Sequence, residues 1–327
     1  MAIPSPQRQT AKPEPSVIDW LLDSDPAIRW QVLGDLLDAP ADEVAAEHAK
    51  VAMEGWGARL LAMQDAAGTW NGVAFNQEHN STMHVLMLLR DLGLDPASEQ
   101  AQRAVGLVRD NVIWEYWNTR FFAGEVEPCI NGQVGAAGAY FRQDVRGIID
   151  RLLTERLADG GWNCEVENGS TRSSFNTTIC VLEALLEYEL QFGSDPAVTE
   201  ARLQGQEYLL ERRLFHRKST GKVIYVDRKD DRGGHDHPAF TEFAFPTWWH
   251  YDVLRGLEYF RHTGAAPDKR LAEAIALVES KRGGDGRWLL DVQYPGVMPV
   301  TINEGVGQPS RWNTLRALRV LKWYSGT

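Results

Sequence analysis

A short pattern recurs six times along this 327-residue chain and constrains its architecture more than any other feature. The copies are Arg29-Trp30-Gln31, Glu78-His79-Asn80, Cys129-Ile130-Asn131, Ser174-Phe175-Asn176, His250-Tyr251-Asp252 and Arg311-Trp312-Asn313. Each ends in an amide or carboxylate side chain. Each opens a run with helical character: VLGDLL, STMHVLMLL, GQVGAAGAY, TTICVLEALL, VLRGLEYF and TLRALRVL. Successive anchors lie 49, 51, 45, 76 and 61 residues apart. A repeat of this length holds one helical hairpin, and a hairpin must stack on its neighbours to bury its apolar face. Six such units are enough for a ring to close.

The helices are of two kinds. From Pro196 to Leu214, Val198, Ala201, Gly205, Tyr208 and Leu209 share one face, and charged residues occupy the other. Such a helix covers a core from outside. From Phe175 to Leu186 apolar residues surround most of the helix, so it is contacted on more than one side. Residues 98–110 and 268–280 read as outer helices, and 83–92 and 315–323 as inner ones. The expected fold is therefore all-α, an (α/α)6 toroid with two concentric helix layers. The toroid forms one domain over 17–327, after a disordered, Pro-rich tail at 1–16. Parallel inner helices would gather the six anchors at one mouth. Insertions fall at about 215–245 and 289–309, the longest intervals, where arrays place binding loops. Only Gly221 to Asp227 alternates like a strand. Gly135, Ala136, Ala137 and Gly138 on the third inner helix leave room for a cavity.

Composition narrows the function. A net charge of −11 disfavours nucleic acid and anionic membranes as partners. No stretch approaches the length of a membrane-spanning segment. Three cysteines, an odd number without a CxxC pair, suit free thiols in a reducing compartment. The N-terminus lacks an apolar signal segment, so a cytoplasmic location is expected. The oligomeric state is not legible.

Three linkers lead into inner helices: RLLAMQDAAGTW ending at Trp70, RLLTERLADGGW ending at Trp162 and ALVESKRGGDGRW ending at Trp288. Each ends an outer helix with glycine, whose left-handed conformation suits a helix stop, and closes on Gly-x-Trp. Residues Gln64 to Trp70 resemble the QW motif of squalene and other triterpene cyclases, which share an α/α toroid with protein prenyltransferase β-subunits. The WHYDVLR and RWNTLRALRVL segments are similar to actinobacterial squalene-cyclase-like proteins. The resemblance implies a cyclase or isomerase acting on a small, largely apolar, isoprenoid-like ligand without a cofactor. The D-x-D-D acid motif of the cyclases is missing. The nearest cluster, Asp227 to Asp231, has different spacing and reads as a solvated loop.

The candidate site is the rim of anchors. Asn80, Asn131, Asn176 and Asn313 would bind substrate, or equally cap helix starts. Capping does not call for His250, Arg311, Arg172 and Glu165 as well. His250, Asp252 and Glu165 are the acid–base candidates, since a carboxylate near a histidine holds it ready for proton transfer. Arg172 and Arg311 would grip an anionic group with forked bonds, or else staple loops. Trp249 and Trp312 would line the cavity, or pack. His235 and His237 are the weak candidates for a metal site, two histidines needing a third ligand. A sugar-active lyase or hydrolase, or a non-catalytic scaffold whose barrel is plugged, are the alternatives.

Overall fold

The structure, a computed structural model, describes residues 15–116, 118–228 and 235–326, the side chains of 226–238 excepted. The helices are α1 (Pro15–Leu22), α2 (Pro26–Gln31), α3 (Ala41–Ala49), α4 (Gly55–Ala62), α5 (Thr82–Leu92), α6 (Glu99–Asn111) and α7 (Pro128–Tyr140). There follow α8 (Arg146–Thr154), α9 (Phe175–Phe192), α10 (Pro196–Leu210), α11 (Val253–His262), α12 (Ala272–Ser280) and α13 (Arg311–Ser325). The fold is mostly helical, as expected. Its strands form two short antiparallel ribbons, β1 (Ile113–Trp114) with β2 (Thr119–Arg120) and β3 (Tyr225–Arg228) with β4 (His235–Pro238). The expected strand corresponds to β3, and the first ribbon was not legible. The tail expected at 1–16 lies outside the described residues, apart from Pro15 and Ser16, which open α1.

Burial separates the two helix kinds. Nine of the eleven residues of α5 are buried, so neighbours surround it. α6 buries only Ala101, Ala104, Val105 and Val108, one stripe at helical spacing. The first copy of the pattern departs from expectation: Arg29-Trp30-Gln31 ends α2 and does not open a helix. After α2 the chain widens into a π-helical turn over Val32–Leu36, with Leu37 N–H bonded to Val32 O.

The inner helices meet in sequence order. α5 packs on α7, α7 on α9, and α11 on α13. α9 reaches α11 through Asn176, whose Oδ1 accepts the Tyr251 N–H at 2.8 Å. α13 packs back on α2 and its π-helical turn. α2 reaches α5 through the Trp30 indole N–H, which donates to Leu92 O at 3.0 Å. The chain thus returns on itself. Arg311 donates to Trp20 O and lies over the Trp20 ring, and Lys322 pairs with Asp38 at 2.8 Å.

The three Gly-x-Trp linkers have one geometry. The Trp70, Trp162 and Trp288 indole N–H groups donate, each at 2.7 Å, to Leu60 O, Leu152 O and Val278 O. Each supplies a donor to a carbonyl in the last turns of an outer helix. Their backbone N–H groups donate to Thr82, Thr178 and Thr314, the first or fourth residues of inner helices. One residue therefore ties an outer helix end to an inner helix start. All three tryptophans are buried. Gly68 adopts φ +89°, and a Cβ there would lie 2.8 Å from the Leu107 backbone, so only glycine fits. Gln64 donates to Gly68 O and to Ala104 O, locking the turn to α6.

The small residues of α7 do not open space, contrary to expectation. A Cβ on Gly132 would lie 2.5 Å from the Cys180 backbone of α9, and one on Gly138 would meet Val145 and Phe122. They let α7 and α9 approach closely.

Candidate functional site

The inner helices line a cavity of about 370 Å³, within the range of small-molecule sites. Its walls follow helical spacing: Met87, Arg90 and Asp91 from α5; Glu183, Leu186 and Glu187 from α9; Arg255, Glu258 and His262 from α11; Trp312, Arg316 and Arg319 from α13. Of its aromatic residues, Phe245, Trp248 and Trp312 lie toward the N-terminal ends of the inner helices, whereas Trp30 sits at the far end, its indole on Leu92 O. Phe245 stacks on Trp312 with ring centroids 4.2 Å apart. Charged residues fill the rest, from Arg255 near the start of α11 to the last turns of α5 and α11: five arginines face five carboxylates. The cavity is thus aromatic at one end and mainly ionic beyond it.

The ionic half is a connected network. Arg255 donates to both Glu183 oxygens, at 2.7 and 2.8 Å. Its remaining Nη1 donates to Trp248 O at 2.8 Å and His250 O at 2.7 Å, so one guanidinium joins the ionic wall to the aromatic end. Arg319 donates to Glu258 at 2.8 Å and to Gln31 at 2.5 Å. Arg316 and Arg261 lie beside the same Glu258 carboxylate. Arg90 bridges Asp91 at 3.0 Å and Glu183 at 3.6 Å.

This arrangement separates the carboxylates electrostatically. Burial pushes the Glu258 carboxyl up, but Arg319 and Arg261 bring it down to about 2. Burial likewise raises Glu183, and Arg255 overcomes it and holds the group below the usual range. Asp91 goes the other way. Burial raises it above the ordinary value despite Arg90, and the neighbouring Glu183 charge adds to the rise. It also sits at the end of α5, where the helix dipole disfavours negative charge. Burial lowers His262 at the end of α11. Carboxyls driven apart in this way are how a site obtains an acid and a fixed anion together.

The anchors of the sequence pattern have other neighbours. Asn131 is fully buried; its Oδ1 accepts the Glu125 N–H and its Nδ2 donates to Glu125 O. Asn313 Nδ2 donates to Phe243 O and Leu289 O. Asn80 Oδ1 accepts from the Asn71 and Asn76 side chains. Asp252 caps α11, accepting the Arg255 N–H at 2.7 Å and the Ala244 N–H at 3.3 Å. Burial raises its carboxyl. Arg311 staples loops, pairing with Glu304 and donating to Asp23 O. Of the residues named from the sequence as catalytic or substrate-binding, Trp312 alone lines the cavity. The His250 ring stacks on Trp249 and on Tyr294 of the second insertion. Glu165 is exposed in a short 3₁₀ turn and accepts from Asn168, and Arg172 is exposed, with its carbonyl accepting from Asn163. The side chains of His235 and His237 lie outside the described residues.

The second insertion covers the rim where the site was expected. Val297 N–H bonds to Glu78 O at 2.7 Å, and a Cβ on Gly296 would meet His79. Beneath it His79 stacks on Trp248 and His84 meets the same ring edge-on. Burial and His79 lower His84 to about 3, so it is neutral. The cavity residues that sequence reasoning missed did leave a signal. Glu183 with Glu187, Arg255 with Glu258 and His262, and Trp312 with Arg316 and Arg319 recur at helical spacing within otherwise apolar runs.

No family model matches the chain, and no curated protein does. Among solved structures, a protein from Actinoplanes is 14% identical, covering 93% of this chain and 91% of that one at a TM-score of 0.44. A variant of the type II terpene cyclase MstE from Scytonema, in complex with geranylgeranyl dihydroxybenzoate, is 18% identical. It covers 92% of this chain and 87% of that one, also at 0.44. Ligand-free MstE is 18% identical over 91% of this chain and 86% of that chain, at 0.44. No described helix is long and apolar enough to cross a membrane.

Proposed function

We propose that the chain is a closed (α/α)6 toroid, an acid–base enzyme working in its central cavity. The substrate class is a small molecule with an apolar body and a polar or charged end, of the isoprenoid-derived kind that the cyclase resemblance implies. The observation that carries this reading is the division of the cavity. Aromatic residues at one end suit an apolar body and would stabilise developing positive charge through their faces. The ionic end suits a polar group. Asp91 is the proton donor in this reading, because its carboxyl is held up while Glu183 and Glu258 are held down. Arg90 positions Asp91, and Glu183 stays ionised to balance charge.

A non-catalytic ligand-binding ring is the second reading. It is favoured by the pairing of every cavity arginine with a carboxylate, as a structural network requires.

One experiment separates them. Small molecules extracted from the purified protein are identified by mass spectrometry, and binding and turnover of the compound found are measured. Asp91→Asn is expected to retain binding and to lose about 10²- to 10⁴-fold in turnover. In the wild type, the activity falls as pH rises through the raised Asp91 value. Turnover unchanged by Asp91→Asn but abolished by His250→Ala would return the chemistry to the N-terminal rim. Binding without any turnover would favour the second reading.

A further inference from the structure

A separate cluster lies at the first turns of α7 and α9. The sulfurs of Cys129 and Cys164 and a carboxylate oxygen of Glu127 all lie within 4.8 Å of one another. Cys129 is the second residue of α7, and Cys164 opens the 3₁₀ turn Cys164–Val166 before α9. The Cys164 sulfur accepts the Cys129 backbone N–H and the Thr177 hydroxyl, both at 3.4 Å. The single Cys129 S–H proton is within reach of the Glu127 carboxylate, at 3.5 Å, and of the Cys164 sulfur. None of these residues lines the central cavity. Cys180 differs: it is fully buried, and its thiol donates to Trp249 O at 3.7 Å.

We propose that Cys164 and Cys129 form a peroxide-reactive dithiol site that closes to a reversible disulfide. Donors aimed at one sulfur stabilise its thiolate, the form that reacts. The Cys129 thiol, the Thr177 hydroxyl and the Cys129 N–H hold Cys164 below the ordinary thiol range although burial opposes it. Cys129 is raised as the proton-bearing partner. Cys164 is partly exposed, so a small oxidant reaches it. In the first step the Cys164 thiolate attacks the hydroperoxide. An S–O bond forms, the O–O bond breaks, and the leaving oxygen departs as water or an alcohol after taking a proton. In the second, Cys129 attacks the Cys164 sulfenic acid. The S–S bond forms at about 2.05 Å, the S–O bond breaks, and hydroxide leaves as water with the Cys129 proton, for which Glu127 is a near acceptor. Two thiols and one hydroperoxide give one disulfide, one water and one water or alcohol. The sulfurs lose two electrons and the peroxide gains them.

The test uses the full-length protein and hydrogen peroxide. The free-thiol titre is expected to fall from three to one, with the product two hydrogen atoms lighter and a peptide map joining Cys129 to Cys164. Dithiothreitol restores all three thiols. Cys129→Ser should stop at a sulfenic acid on Cys164 that dimedone traps, and Cys164→Ser should not react. Thr177→Val should shift the pH of half-maximal rate upward, a readout that needs no cysteine variant. The proposal is overturned by wild-type protein that gives a dimedone adduct or sulfinic acid in place of the disulfide. A bridge to Cys180 or between molecules also overturns it. So does a native titre below three that a chelator restores, which would show the thiols holding a metal.

Discussion

At the N-terminal ends of the inner helices, Asn131, Asn176 and Asn313 bond to backbone groups of neighbouring segments. One or two turns further along the same helices, Arg255, Glu258 and Arg319 bond chiefly to other charged side chains. Short neutral amides fix where loops cross a helix start, and their bonds do not respond to pH. Long charged groups fill a hollow, respond to pH, and leave an uncompensated charge if one is removed. A polar residue aimed at a cavity between helices is therefore better judged by its partner than by its polarity.

The sharpest way to break this comparison is Glu258→Gln. It leaves Arg319, Arg316 and Arg261 facing a neutral group, and is expected to lower unfolding free energy by about 3–5 kcal/mol, read by urea titration. A loss below 1 kcal/mol would mean that the network is not holding these helices together. Asn313→Ala comes next. It strips donors from Phe243 O and Leu289 O, and about 1–3 kcal/mol should be lost, with no dependence on pH.

Acid titration sharpens the contrast further. The folded Glu258 value of about 2 lies below its ordinary 4.5, so its contribution is present above 4.5 and lost as pH falls toward 2. Asp91 and Asp252 are raised instead; what they contribute is present below their ordinary value and declines as pH rises through the folded one. Urea midpoints of wild type and Asn313→Ala should therefore fall in parallel between pH 4.5 and 2, whereas Glu258→Gln should fall less. The smallest effect is reserved for Glu165→Gln. That carboxylate is exposed, and a change within about 0.5 kcal/mol is expected, with ligand binding unaltered. A larger change in binding would restore Glu165 to the site.

Much of the fold was legible because its signals are local. The stripe of α6, the all-round apolarity of α5 and α9, and the glycine before each of Trp70, Trp162 and Trp288 follow from neighbours in sequence. The cavity was not, because its logic is non-local. Arg255 and Glu183 are 72 residues apart, and neither looks unusual in its own helix. Charges within VLEALLEYE and TLRALRVLKW read as solvent-facing when each helix is taken singly. Only the packing of α5, α9, α11 and α13 about one cavity turns that face inward. The amides at helix starts were conspicuous by repetition, but repetition marked the joint between hairpins, not the chemistry.

The seam between Arg311 and Trp20 joins positions 291 residues apart. Closing so long a loop carries the largest entropic cost of any contact described, and it must wait until residue 311 has been synthesised. Until then α1 and α2 lack the contacts that α13 gives them. Moving the termini elsewhere by circular permutation would convert that late, distant encounter into a contact between sequence neighbours, and refolding of such a permutant should be faster.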